Sequence, residues 1–189
     1  MRIIAGARRG KKIRALEGEK VRPTTDRVKE ALFNILQFRI EGRSFLDLFA
    51  GSGQVGLEAL SRGAESAYFV DNSEQSVKVI EWNIRETGFG SLSEVFLGDY
   101  GKFYSRIGGK QFDIIFLDPP YRENLLIPAL KMSELHVKPA GLIVCEHLFG
   151  ESLPEQVGKM GIFKTYKYGK IALTLYQCIN FSREQRGVT

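Results

Sequence analysis

Cysteine, histidine and proline are scarce in this chain: it has two cysteines, two histidines and six prolines in 189 residues. Cys145 and Cys178 form no CxxC pair and sit in apolar surroundings. They read as reduced packing thiols of a cytoplasmic protein, which excludes a disulfide scaffold. His136 and His147 lack metal-ligand spacing, so no metal is expected. No apolar run approaches the roughly 20 residues of a membrane span. The opening MRIIAGARRGKK has no apolar core of signal-peptide length, so neither export nor membrane insertion is expected. With 43% hydrophobic and 26% charged residues, the composition is that of an ordinary globular domain with a full core.

Acid is short in one place only. Residues 1–43 hold 12 Lys or Arg against 5 Asp or Glu, a surplus of seven in a chain whose net charge is +5. The remainder is therefore slightly acidic. Arg2, Arg8, Arg9, Lys11, Lys12 and Arg14 all precede the first acid, Glu17. Such a stretch is either a solvated face or a contact for nucleic-acid phosphates, and charge alone does not choose between them.

The residue pattern alternates. RIIAG and KKIRAL read as a hairpin around a Gly/Arg-rich turn. RPTTDRVKEALFNILQF follows as a helix, with Val28, Leu32, Ile35 and Leu36 on one face. From Ser44 onward strands (44–49, 66–71, 93–99, 112–120, 141–148) take turns with helical patterns (53–63, 73–88, 100–107, 125–135). Pro128 must kink the last of these helices or mark a late start. FKTYKYG and KIALTLYQCI close the chain as a hairpin across Gly169. This order predicts an α/β fold with a parallel sheet covered by helices on both faces, and ligands bound outside the carboxyl ends of the strands.

Those ends carry acids. Asp47 precedes the turn GSGQVG, which matches G-x-G-x-x-G, and Asp71 lies 20 residues after Gly51. That is the dinucleotide fingerprint, so a nicotinamide dehydrogenase has to be weighed. Asp47 argues against it: a carboxylate four residues before the glycine turn would face a pyrophosphate. It suits a ligand with an ammonium group and no phosphate, such as S-adenosylmethionine. Asp71 would then take the ribose diol. Asp99 is either a contact to the adenine amine or a helix cap.

Two of the six prolines stand together in DIIFLDPPY, residues 113–121. A strand that stops on paired prolines, with an acid and an aromatic at its mouth, is rigid by construction. DLFAGSG, GD at 98–99 and DPPY resemble the motifs of class I S-adenosylmethionine-dependent methyltransferases acting on exocyclic amines. Together with MRIIAGARRGKKI, RPTTDRVKEALFNIL and FDIIFLDPPY, they make the chain similar to the RsmD family from Met1 to about Glu146. Tyr121 stands where that family often has phenylalanine, and stacking survives the exchange.

The resemblance implies a Rossmann-like, mostly parallel sheet with a C-terminal antiparallel hairpin. Residues 1–43 would be an RNA-contacting extension and 44–189 the methyltransferase domain. It implies methylation of a guanine N2 amine in bacterial 16S ribosomal RNA, naked or within an assembling small subunit, by a cytoplasmic protein for which a monomer suffices. The implied catalytic residues are Asp118, Pro119, Pro120 and Tyr121. S-adenosylmethionine, which leaves as S-adenosylhomocysteine, would be held by Asp47, Phe49, Gly51, Ser52, Gly53, Asp71, Asn72 and Asp99, with Arg22 and Thr24. RNA would meet Arg8, Arg9, Lys11, Lys12 and Arg27. Arg22 equally reads as a salt-bridged helix start. The other readings are a DPPY methyltransferase of adenine N6 or cytosine N4, and a non-catalytic RNA-binding protein that keeps the fold.

Overall fold

The computed structural model describes residues 1–16, 26–121 and 123–179. Arg22, Pro23, Thr24, Thr25 and the tail 180–189 lie outside the described residues. The chain divides into two compact units, Met1–Phe103 and Tyr104–Thr189.

The first unit opens on the basic hairpin. Arg2 bridges Lys12 in antiparallel fashion, and Ile3 exchanges backbone bonds with Lys11 and Gly10 at 3.0 and 2.9 Å. The expected pair of strands is thus a single bridge with a 3-10 turn, Gly6–Arg8, at its tip. Ile3 and Ile13 are its buried anchors. Helix α1 (Asp26–Leu36) follows, and it buries Val28, Leu32, Phe33 and Leu36. Strand β1 (Ser44–Asp47), helix α2 (Gln54–Ser61), strand β2 (Ser66–Asp71), helix α3 (Glu74–Thr87) and strand β3 (Ser93–Leu97) complete the alternation. β2 pairs in parallel with both β1 and β3. Ser73 caps α3, accepting from Ser76 N–H at 3.3 Å, and Gly88 closes it in the left-handed region at φ 73°. Helix α4 (Tyr100–Ile107) carries the chain out of this unit.

In the second unit, strand β4 (Phe112–Leu117) is buried at all six positions, as a parallel strand covered on both faces must be. Helix α5 (Leu126–Ser133) starts two residues before Pro128, which therefore lies in the first turn, where no intrahelical donor is required. The late start, rather than a kink, is the observed outcome. Strand β5 (Val137–Leu148) pairs in parallel with β4. It begins four residues earlier than the sequence suggests. A two-residue strand β6 (Gln156–Val157), too short to carry any periodicity, precedes β7 (Met160–Tyr168) and β8 (Ile171–Cys178). β8 pairs antiparallel with β5 on one side and with β7 on the other, across the expected turn at Gly169. The fold is α/β, with parallel pairing as far as β5 and antiparallel pairing beyond it. Among the described residues no helix is long and apolar enough to cross a membrane.

Candidate active site

In the first unit the acids stand where the strands end. Asp47, 2% exposed at the end of β1, accepts from the Gly56 N–H at 3.0 Å. This buried carboxylate, bound to the first turn of α2, braces that helix beside the glycine turn. Asp71, at the end of β2, uses both oxygens: Oδ2 accepts from Gly51 N–H at 2.8 Å and Oδ1 from Ser73 N–H at 2.9 Å. It thereby ties the glycine turn to the start of α3. Gly53 caps α2 in the left-handed region, φ 76°, and a Cβ there would meet Ile80 at 3.2 Å. Gly56 answers a different need. A Cβ would lie 2.3 Å from the Phe69 ring, so the glycine lets α2 close on β2.

Phe49 is half-buried and tilts against Tyr100, with ring centres 5.9 Å apart. Ser52 is buried and Asn72 exposed. Asp99 is a helix cap: Oδ1 accepts from Lys102 N–H at 2.9 Å. That backbone donor, with the nearby Lys102 charge, holds the carboxyl below the usual carboxylate range. Capping leaves the second carboxylate oxygen to Lys102 Nζ at 3.6 Å, on a side chain half open to solvent. The cap reading is observed, and an adenine contact would have to share this carboxylate.

The basic hairpin is a docked element. Glu58, fully buried on α2, accepts from the N–H groups of Ile4 and Ala5 at 2.7 and 3.0 Å and from Arg62 Nε at 2.8 Å. Ser61 Oγ accepts from Arg8 N–H at 3.0 Å. Of the expected RNA contacts, Arg8, Arg9, Lys11, Lys12 and Arg27 are all exposed. Two of these are also structural. Arg8 Nε donates to the Thr87 carbonyl at 2.7 Å with its guanidinium 5.5 Å from the Phe89 ring centre, and Lys11 pairs with Glu86 at 3.4 Å. Arg14 lies 3.7 Å over the Trp82 ring.

In the second unit β4 stops at Leu117. Asp118 is half-buried, Pro119 buried, Pro120 exposed and Tyr121 half-buried. The Pro120 carbonyl accepts from Glu123 N–H at 3.3 Å, which closes the turn. The Tyr121 hydroxyl donates to Glu146 Oε1 at 3.0 Å. Glu146 is 3% exposed, near the end of β5, and the sequence reading missed it. Its signal was an acid directly after the apolar run Leu142–Cys145. Tyr121, Glu146, His147, Pro119, Pro120 and Asn124 line a shallow, solvent-open pocket, with Asn124 in the left-handed region at φ 53°. His147 Nδ1 lies 3.0 Å from the Leu148 carbonyl, an acceptor, so Nδ1 carries the proton and Nε2 accepts from Thr174 Oγ1 at 2.8 Å. Burial holds this imidazole below its ordinary pKa, so the ring stays neutral. Among the described residues no group of three or more His, Cys, Asp or Glu could hold a metal ion.

Known proteins resemble this chain over most of its length. The family model described as conserved hypothetical protein 95 matches residues 1–177. Ribosomal RNA small subunit methyltransferase D of Escherichia coli is 34% identical, over 94% of this chain and 89% of its own. The Haemophilus influenzae protein of the same name is 37% identical, over 77% of this chain and 78% of its own. The solved structure of a hypothetical protein from Thermus thermophilus superposes with a TM-score of 0.79 at 33% identity, covering 94% of this chain and 99% of that one. The match extends over the basic hairpin, the glycine turn and the DPPY segment alike, and the chain belongs to the RsmD-type methyltransferase family.

Proposed function

We propose that this protein methylates the N2 amine of a guanine in bacterial 16S ribosomal RNA, with S-adenosylmethionine as donor. The observation that carries the reading is the DPPY turn: an acid at the rigid end of a buried strand, beside an aromatic ring whose hydroxyl is fixed by Glu146. The relatives' names supply the substrate class.

The residues of the first unit fit the donor. The Gly51–Gly53 turn gives a surface with no side chain in the way, and Asp47 offers a negative charge suited to an ammonium group. Asp71 faces the same turn and suits a ribose diol, since each carboxylate oxygen can accept more than one hydrogen bond. S-adenosylmethionine supplies an electrophilic sulfonium methyl group that needs no metal to activate it.

The rest of the chemistry belongs to the second unit. A guanine N2 amine is a weak nucleophile because its lone pair is delocalised into the ring. Asp118 accepts one of its N–H groups, and the Pro119 carbonyl, held stiff by the prolines, accepts the other. So gripped, the nitrogen takes on tetrahedral character; the Asp118 carboxylate stabilises the positive charge that develops there as the N–C bond forms and the S–C bond breaks, and then takes the proton the nitrogen releases. Tyr121 stacks on the base once it has left its RNA stack.

The test is methylation of ribosomal RNA from a strain lacking this protein, followed by mapping of the modified base by mass spectrometry. N2-methylguanosine at one 16S position supports the reading. Methyl groups on adenine N6 or cytosine N4 would move the substrate. No transfer, with S-adenosylmethionine still bound in calorimetry, would favour a non-catalytic RNA-binding protein.

A further inference from the structure

The basic hairpin at residues 1–14 is not the only place where cationic side chains gather. Residues 156–179 hold Lys159, Lys164, Lys167 and Lys170 and no acid, within a remainder of the chain that carries a net negative charge. The structure places these residues on the antiparallel β7–β8 pair. Four of the large apolar side chains most open to solvent belong to the same region: Phe149 at 52%, Phe163 and Ile162 at 40%, and Leu148 at 38%.

Strand register says where this surface points. Glu146 pairs with Leu173, and Leu173 with Tyr166, so Glu146 and Tyr166 lie in one row across β5, β8 and β7. The flanking rows run Val144–Leu175–Lys164 and Leu148–Ile171–Tyr168. Cross-strand partners share a face, so Lys164, Tyr166 and Tyr168 share the face of Glu146, the residue that fixes Tyr121. Two strand spacings, about 9–10 Å, separate Glu146 from Tyr166 along their row. A nucleotide neighbouring a base held at Tyr121 can bridge that span.

The other face repeats the chemistry. Lys167 pairs with Ala172, as does His147, and its ammonium lies 3.7 Å from the centre of the Phe149 ring. On the Glu146 face, Lys164 Nζ sits 4.8 Å from the Tyr166 ring centre. Among the described residues β6 covers only Met160 and Gly161, and beyond them β7 has no further strand partner on that edge. Lysines on such an edge also guard against aggregation. Protection alone does not call for Phe163, Tyr166, Tyr168 and Phe149 beside them. Rings interleaved with ammonium groups are the composition that binds unstacked nucleotides, rings against bases and lysines against phosphates.

We infer that β7 and the β7–β8 turn form a second RNA-contacting surface, which holds single-stranded RNA flanking the target base. This rests on the ribosomal RNA reading, and the test separates the two. Binding of a fluorescein-labelled single-stranded fragment of 16S ribosomal RNA is measured against salt for the parent, for Lys164→Ala/Lys167→Ala/Lys170→Ala and for Tyr166→Ala/Tyr168→Ala. The triple variant should lose roughly 2 units of log–log salt slope, at about 0.7 per phosphate contact. The tyrosine variant should lose at least about tenfold in affinity with its slope unchanged. S-adenosylmethionine affinity in calorimetry should match the parent in both, which checks that they are folded. Lys164→Gln/Lys167→Gln/Lys170→Gln serves as the second charge-removing set. Variants that bind RNA as the parent does overturn this surface and return the lysines to edge protection. A parent that binds no RNA fails the ribosomal RNA reading itself.

Discussion

Asn83 holds Arg14 by both of its backbone groups: Oδ1 accepts the Arg14 N–H at 2.7 Å, and Nδ2 donates to the Arg14 carbonyl at 3.1 Å. The same Nδ2 donates to the Ser52 carbonyl at 2.9 Å, inside the glycine turn. One fully buried amide on α3 therefore acts as a substitute strand for the end of the basic hairpin and as a brace for the cofactor turn. Asn83→Ala leaves buried backbone groups without these partners, which costs about 2–3 kcal/mol. For a chain of this size the melting temperature should fall by about 4–12 °C. Affinity for S-adenosylmethionine should fall with it. A thermal melt that matches the parent would show that the amide is dispensable.

Asp118 and Tyr121 should separate in their effects. Asp118→Ala removes an acceptor for the reacting amine and should cut turnover by about 10²–10³-fold, while S-adenosylmethionine binding stays near normal. Tyr121→Phe removes only the hydroxyl given to Glu146 and keeps the stacking ring. Its turnover should remain within about tenfold of the parent, with Tyr121→Ala much lower. Single-turnover methylation assays distinguish these. Near-parental activity in Asp118→Ala would remove Asp118 from the chemistry.

The strand–helix alternation was legible because β1, β2, β4 and β5 are apolar runs and α3 carries its own cap and stop, Ser73 and Gly88. The DPPY end was legible because paired prolines permit little else. What escaped was long-range pairing. Glu146 meets Tyr121 across 25 residues, Asn83 meets Arg14 across 69, and Glu58 meets Ile4 across 54. Each is a polar side chain on an element whose periodicity gives no hint of its partner. Arg8 carries a second role that its charge did not reveal: its Nε donates to the Thr87 carbonyl.

Asp47→Ala should weaken S-adenosylmethionine binding by about 1.5–3 kcal/mol, the worth of a hydrogen bond to a charged group. It also strips the Gly56 N–H of its acceptor, so some loss of thermal stability should accompany it. Gly53→Val puts a branched side chain at φ 76° against Ile80 and should distort the turn. If calorimetry finds both variants binding as the parent does, the donor site lies elsewhere.

Asp99 offers a test by charge alone. Asp99→Asn keeps a good cap on α4, whereas Asp99→Ala loses it at a cost of about 0.5–2 kcal/mol. Because the folded carboxyl titrates below its ordinary value, its stabilising effect is present above the normal carboxylate pKa and is lost as pH falls through the lowered one. The pH dependence of melting should therefore lose part of its acid limb in Asp99→Asn. A fall in S-adenosylmethionine affinity in that variant, with melting at neutral pH intact, would assign the adenine contact as well.

The basic hairpin separates by residue. Arg9 and Lys12 are exposed, and substituting them should cost little stability. Removing one phosphate-binding cation should reduce the log–log salt slope of RNA binding by about 0.7, so Arg9→Ala/Lys12→Ala should lower it by about 1.4 units, with affinity falling alike for different RNA sequences. Arg8→Ala should behave differently. It removes the donor to Thr87 and the packing on Phe89, so its melting temperature should drop while RNA binding falls partly through a loosened hairpin. Lys11→Ala breaks only a half-exposed ion pair with Glu86, which is worth little to folding, so any loss of RNA affinity there reports a phosphate contact directly. Salt slopes for Arg8→Ala, Arg9→Ala, Lys11→Ala and Lys12→Ala taken singly and for the Arg9→Ala/Lys12→Ala pair, read beside their thermal melts, divide the arm into residues that hold the fold and residues that hold RNA. Unchanged slopes in Arg9→Ala, Lys11→Ala and Lys12→Ala would make this arm a solvated face.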